Sequence, residues 1–468
     1  MDDDGQPAGL GGITITDEST VRRAVAAAAI GNVTEWYDFG VYSYLVGTIT
    51  KVFFSNLPPE TATVYAFAVF AVSFLVRPIG GLFFGPLGDR VGRTKVLAIT
   101  VIMMAVGTFV LGILPSYASI GVAAPLLVLL VRLVQGVSTG GEYGGAMTFI
   151  AEYAPDRRRG FLGSWLEFGT LTGYALGASL VTFLTWALTE DQLVSWGWRI
   201  PFLLALPLGA VGLYLRVKLE ETPAYVQLVE KSESHQGTPT KEAFRLLFTK
   251  YWRSMLVAGG VIIAWNVTNY VLTAYVPTYV TQTLPPEDRI SETASNLLQI
   301  LVLLILMALI TFLGRLSDRI GRRPVLMIGA VALVVFGLPS VLLLRGGGVG
   351  TTFLGLLIMG LTLVCFSSTA PATLPALFPT EIRYTGLSIT FNLFVSAFAG
   401  TAATIIGALV LVTGDLNWPG YYLMAAGVVG AISVYLLSES AGKPLAGSQP
   451  AVATEAEARE MLAERREP

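Results

Sequence analysis

The sequence predicts an all-α membrane protein of twelve transmembrane helices, arranged as two six-helix halves with both termini cytoplasmic. Three observations carry this expectation. Of 468 residues, 53% are hydrophobic and only 13% charged, which is more apolar surface than a water-facing fold of this size can bury. Apolar stretches of about 20 residues or more, enough to cross a hydrocarbon core ~30 Å thick as helices, recur twelve times along the chain. One loop sequence also occurs twice, at matching places in the two sets of six.

Taken in order, the apolar stretches run at about 24 to 50, 62 to 84, 95 to 114, 120 to 145, 161 to 186 and 199 to 216, and then at about 253 to 281, 293 to 314, 324 to 344, 350 to 371, 386 to 413 and 420 to 438. The expected organisation is a cytoplasmic segment 1–23, a six-helix bundle 24–216, a polar cytoplasmic connector 217–252, a second bundle 253–438 and a cytoplasmic tail 439–468. The opening MDDDGQPAGLGG is acidic and glycine-rich where a signal peptide is basic and then apolar, so the first span is expected to remain uncleaved. Within the tail, TEAEAREMLAERRE reads as a short surface helix or a disordered end. Most of the 30 Lys and Arg residues fall on the side of the two termini. Only Lys51, Arg199, Arg289 and Arg345 fall on the other, and Arg77 and Arg132 lie inside spans. That asymmetry sets the orientation.

The net charge of −2 gives no footprint for nucleic acid. The single Cys365 and single His235 have no His or Cys companions, which excludes the usual metal sites. No phosphate-binding loop or nucleophile motif is recognisable. The sequence therefore points to no cofactor and no enzyme.

The repeated loop is Gly85–Arg93 (GPLGDRVGR) and Gly314–Arg322 (GRLSDRIGR), the second copy 229 residues after the first. Each lies between the second and third span of its half, so the halves are expected to be related by a pseudo-two-fold along the membrane normal, with a site between them. The chemistry suits a latch made in one conformation and broken in another, formed by Asp89, Arg90 and Arg93 in one copy and Asp318, Arg319 and Arg322 in the other.

Ionisable residues inside spans are costly and face cavities as a rule. The first span carries Asn32, Glu35, Asp38 and Tyr42 at spacings of three, three and four, which puts them on one helical face. Two carboxylates near the midplane of one face can hand on a proton as a cavity changes sides. The fourth span adds Arg132, Gln135, Glu142 and Tyr143 on one stripe. Glu35, Asp38, Arg132 and Glu142 are the proton-coupling candidates. Arg132, the deepest positive charge, can neutralise Glu35 or Asp38 or receive a substrate carboxylate. Arg77 is expected nearer the inner end of its span in a structural role, and Glu167 is a weaker candidate because the loop arginines are alternative partners for it. Aromatic faces attract quaternary ammonium, which makes Trp36, Tyr37, Trp265 and Tyr270 candidates for a cationic head, alongside Asn32, Tyr42, Arg132, Asn266 and Asn269 as substrate-binding residues. Gly169, Gly173 and Gly177 recur every fourth residue, as in close helix packing.

The doubled G-x-L-[GS]-D-R-x-G-R loop resembles that of the major facilitator superfamily. Within it, GNVTEWYDF at Gly31–Phe39, RPIGG at Arg77–Gly81, WRIPF at Trp198–Phe202 and LEETP at Leu219–Pro223 are similar to the metabolite:proton symporter family, over about Arg22 to Gly447. The resemblance implies a multi-pass protein of the plasma membrane, such as a bacterial inner membrane. It also implies proton-coupled import of a small zwitterionic compatible solute such as proline or glycine betaine by alternating access. An organic-acid symporter of the 2-oxoglutarate, citrate or shikimate type is the alternative. Protons, solute and the lipid bilayer are the expected partners.

Overall fold

The computed structural model describes residues 12–217, residue 226 and residues 240–464. Almost every element is helical. The first span is Glu18–Tyr44; the second is the pair Pro59–Leu75 and Arg77–Val91; the third to sixth are Arg93–Ile113, Ala123–Tyr153, Arg159–Ala187 and Arg199–Val217. The seventh starts as Trp252–Tyr270 and continues to Thr283; the eighth to tenth are Glu292–Ile320, Arg322–Leu344 and Val349–Thr373. The eleventh joins Arg383–Phe394 to Ala402–Thr413 through a π-helical turn at Val395–Ala399, and the twelfth is Trp418–Leu436.

Ten of these are long and apolar enough on their own to cross a bilayer, and the bent pair Glu190–Gly197 and Arg199–Tyr214, meeting at 43°, brings an eleventh. The first span is the exception, and its polar residues explain why: Asn32, Glu35 and Asp38 are tolerated because neighbouring helices bury them. Large side chains such as Phe83, Trp186, Phe312 and Leu411 point outward, as a lipid-facing surface requires.

The packing repeats in the two halves. The first span packs on the fifth and sixth, the second on the fourth, and the third on the fourth and sixth. The seventh likewise packs on the eleventh and twelfth, the eighth on the tenth, and the ninth on the tenth and twelfth. The halves meet along two seams, second span against eleventh and fifth against eighth, which exchange under the same pseudo-two-fold. The glycine stripe of the fifth span serves close packing as expected: a Cβ on Gly173 would lie 2.6 Å from the Val33 carbonyl oxygen of the first span.

Gly92 and Gly321, at corresponding places in the repeated loops, have φ of 111° and 102°. Only glycine adopts this backbone freely, so each loop can turn abruptly from one span into the next. Both loops lie at one end of the bundle, called here the loop end.

Two features there depart from expectation. The first helix begins at Glu18, six residues early, because the Asp17 carboxylate caps it by accepting from the Thr20 amide at 3.0 Å. The tail returns to the start of the chain, where Ala451–Val452 (β2) pairs in parallel with Thr14–Ile15 (β1), a pairing the sequence did not announce; beyond it Glu455–Glu464 is a helix, one of the two readings of that segment. Of the connector, the helix Thr240–Thr249 is described, whereas the Leu219–Pro223 motif and His235 lie outside the described residues.

Candidate functional site

The fourth, fifth and sixth spans enclose the polar face of the first, so that Asn32, Glu35, Asp38 and Tyr42 are all buried. Asp38 accepts from Arg132 Nη1 at 2.5 Å and from Gln135 Nε2 at 3.2 Å. The Arg132 guanidinium also sits 4.1 Å from the centre of the Tyr42 ring, whose hydroxyl donates to the Ala66 carbonyl at 3.1 Å. In this structure Arg132 neutralises Asp38. Glu35, one turn earlier, faces Arg77, with Oε1 3.7 Å from Nη2 and both side chains fully buried. Glu142 is buried on the fourth helix.

Arg77 was expected in a structural role nearer the loop end. Instead it enters where the two helices of the second span join, and its guanidinium lies 4.4 Å from the Phe74 ring and 4.9 Å from the Phe39 ring. A long side chain can reach back along its helix to a depth that its backbone position does not reveal.

Beside these pairs lies an aromatic cluster drawn from both halves. The Trp36 ring is 6.1 Å from Tyr143 and 6.2 Å from Tyr270, and Tyr143 is 6.0 Å from Trp265 and 4.6 Å from Phe391. Asn32 positions this wall. It donates to the Leu166 carbonyl at 2.8 Å and to Thr170 Oγ1, while its own carbonyl accepts from Trp36 Nε1 at 3.0 Å. Asn266 is bonded within its own helix, to the Ile262 carbonyl, and Asn269 is buried one turn further along. Tyr37 is engaged away from the cluster, donating to the Pro201 carbonyl at 2.8 Å.

Glu167 lies buried at the cluster, accepting from the Tyr143 hydroxyl and from Thr170 Oγ1, the latter at 2.8 Å. The loop arginines have other partners: Arg159 pairs with Asp156, Arg157 with Glu460 and Arg158 with Glu457.

At the loop end each repeated aspartate reaches across to the other half. Asp89 Oδ2 accepts from the Thr385 amide at 2.9 Å and its hydroxyl at 2.7 Å, in the first turn of the eleventh span. Asp318 accepts from the amides of Gly160 at 2.7 Å and Phe161 at 2.8 Å, in the first turn of the fifth. Helix N-termini present unpaired N–H groups and a positive dipole end, so a carboxylate is the fitting partner. Arg93 lies 3.1 Å from Asp89 and 3.4 Å from Glu152, and Arg322 lies 3.8 Å from Asp318. Glu152 in turn pairs with Arg383 at 2.7 Å across the seam. Sequence reasoning missed that pair, since neither residue lies in the repeat. Arg90 and Arg319 are exposed.

Among the described residues, no group of three or more His, Cys, Asp or Glu side chains could hold a metal ion.

Residues 24–449 match the family model described as sugar (and other) transporter. The chain belongs to that family. It is therefore a transporter and a multi-pass membrane protein. Among curated relatives it is 46% identical over 464 residues to the proline/betaine transporter of Escherichia coli K12, covering 98% of this chain and 92% of that one. To the glycine betaine/proline/ectoine/pipecolic acid transporter OusA of Dickeya dadantii it is 45% identical over 463 residues, covering 98% and 91%. Among solved structures, the major facilitator superfamily proton:xylose symporter XylE bound to 6-bromo-6-deoxy-D-glucose aligns with a TM-score of 0.75 at 20% identity, over 92% of this chain and 98% of that one. That likeness establishes the twelve-helix major facilitator fold of the transporter.

Proposed function

We propose that this chain is a proton-coupled symporter that imports a zwitterionic compatible solute, proline or glycine betaine, across a bacterial plasma membrane by alternating access. The observation that carries the reading is the first helix's polar face: two buried carboxylates, each opposed by its own arginine, beside an aromatic cluster that spans both halves. A carboxylate whose arginine can be drawn away by a substrate anion gains and loses a proton with the transport cycle. Glu35 fits this better than Asp38, since its arginine stands at 3.7 Å against 2.5 Å. Asp38, Arg132 and Glu142 complete the polar core, and Trp36, Trp265, Tyr270 and Asn269 offer the substrate wall. Asn32 holds that wall in place through Trp36, with Tyr42 and Asn266 beside it as further substrate-binding candidates. The relatives named as proline and betaine transporters, at about 45% identity over nearly the whole chain, support the solute class.

The loop end is the cytoplasmic side in this reading, with both termini there and the halves bounded at 24–216 and 253–438. The cross-half contacts of Asp89, Asp318 and Glu152 then close the cytoplasmic gate, in a state that exchanges with one open to the cell interior.

Uptake of labelled proline, betaine and 2-oxoglutarate into vesicles under an imposed inward proton gradient tests the proposal. Accumulation of the two zwitterions, each competing with the other and neither with 2-oxoglutarate, is the expected result. Accumulation of 2-oxoglutarate alone would put the organic-acid alternative in its place.

A further inference from the structure

We propose that Glu167 is the counter-charge for the cationic nitrogen of the transported solute, and that Arg77, at the far edge of the same aromatic cluster, receives the solute's carboxylate. The inference rests on the zwitterion reading above and deepens it, since it names the two poles of the site.

Glu167 is buried where the fifth span faces the tenth and seventh. Its neighbours are Tyr143 and Thr170, which donate to it, and Ser367 of the tenth span, which also accepts from Trp265 Nε1 at 2.9 Å. Among the described residues no Lys, Arg or His forms an ion pair with it, whereas Asp38 and Glu35 both have arginines. A carboxylate buried without a positive partner is expensive unless a cation joins it. Hydroxyl donors reduce that cost without supplying the charge.

The surroundings suit an alkylated nitrogen better than a metal or a bare ammonium. Tyr143, hydrogen-bonded to Glu167, packs against Trp36, Trp265 and Phe391. Ring faces beside a carboxylate combine cation–π attraction with a full counter-charge, and they exclude the water that a small hydrated cation would retain. Arg77 supplies the opposite pole: its buried guanidinium lies 5.9 Å from the centre of the Trp36 ring, whose further neighbours are Tyr143 at 6.1 Å and Tyr270 at 6.2 Å. Tyr270 belongs to the C-terminal half, and Glu167 and Arg77 to the N-terminal half. A solute held by both charges therefore lies against rings of both halves, Trp36 and Tyr143 from one and Trp265 and Tyr270 from the other.

The test is counterflow of labelled glycine betaine in proteoliposomes with no pH gradient, comparing wild type with Glu167→Gln. Inhibition by 3,3-dimethylbutanoate, in which carbon replaces the quaternary nitrogen, is measured alongside. The half-saturating betaine concentration should rise roughly ten- to hundredfold, the worth of one charged contact. Inhibition by the carbon analogue should stay the same or strengthen. Unchanged preference for betaine over the analogue, or an equal loss of both, overturns the inference. So does intact counterflow with loss of gradient-driven accumulation alone, which would make Glu167 a proton carrier. If wild type carries neither betaine nor proline, the uptake reading itself fails, and it fails before any variant is compared. Should Glu167→Gln not reach the membrane, Glu167→Asp decides the matter: the shortened carboxylate should weaken betaine while leaving the analogue unaffected, and equal weakening overturns the inference.

Discussion

The Asp89 carboxylate crosses from one half of the transporter to cap a helix of the other, accepting from both the amide and the hydroxyl of Thr385. Asp318 returns the same contact in the opposite direction, to the amides of Gly160 and Phe161. A charge at a helix N-terminus is worth about 0.3–2 kcal/mol. Asp89→Asn keeps an acceptor but loses the charge, so the closed loop end should lose about 1 kcal/mol relative to the open one. Initial-rate uptake should then show a maximal rate lowered several-fold and a solute KM within about twofold of wild type. A large rise in KM at unchanged maximal rate would be incompatible with a latch remote from the solute.

Glu35→Gln is expected to abolish accumulation against a gradient while leaving counterflow of the same solute intact. Glutamine keeps the shape beside Arg77 and cannot carry a proton. Gradient-driven accumulation at the wild-type level would remove Glu35 from the coupling step.

Asp38 and Arg132 form a fully buried ion pair at 2.5 Å. Removing one partner of such a pair costs about 3–5 kcal/mol, because the other charge is left buried and alone. Arg132→Gln and Asp38→Asn should each lower the thermal unfolding midpoint in detergent markedly, and the double variant should be more stable than either single one. Additive losses would mean that the pair contributes nothing as a unit.

At the end of the twelfth span, burial alone would push the Glu439 carboxyl up, but the backbone N–H groups of Ala441, Arg323, Arg322 and Ser440 outweigh it and hold the carboxyl below its ordinary value. A lowered value means that the stabilisation is present above the unfolded-state value of about 4.3 and is lost as pH falls through the folded one. Glu439→Gln should therefore destabilise the protein at pH 7, and the gap to wild type should narrow below about pH 4. Thermal midpoints of the two proteins from pH 7 to pH 3 give the comparison.

The spans and the latch loops were legible because they repeat: apolar length and a nine-residue motif are local signals that occur twice. The face shared by Glu35 and Asp38 was legible from spacing. Which arginine meets which carboxylate was not, because Arg77 and Arg132 come from different helices and their depths depend on a helix join and on side-chain reach. The partners of Glu167 were hidden for a related reason. Three arginines precede it in sequence, but acidic residues and tail groups far along the chain occupy them. The pairing of Thr14–Ile15 with Ala451–Val452 had no local signature at all, each strand being two residues long.

That small pairing belongs to a longer strap. Between Ser440 and Ala451 the chain takes hydrogen bonds at Ser440 Oγ from Arg322, at the Lys443 carbonyl from Arg159 and at the Ala446 carbonyl from Arg383, and the Ala451 amide donates to Asp156. Arg159 and Asp156 ride on one half, Arg322 and Arg383 on the other. The strap is thus stitched to both moving bodies, and when the loop end parts, stitches on at least one side must come undone. An affinity tag or fluorescent protein fused beside it is accordingly a weight on the gate. The same geometry offers an instrument: a pair of dyes near Thr14, which leads into the first half, and Ser440, which follows the last span of the second, would report gate opening in single molecules, with no label inside the solute path.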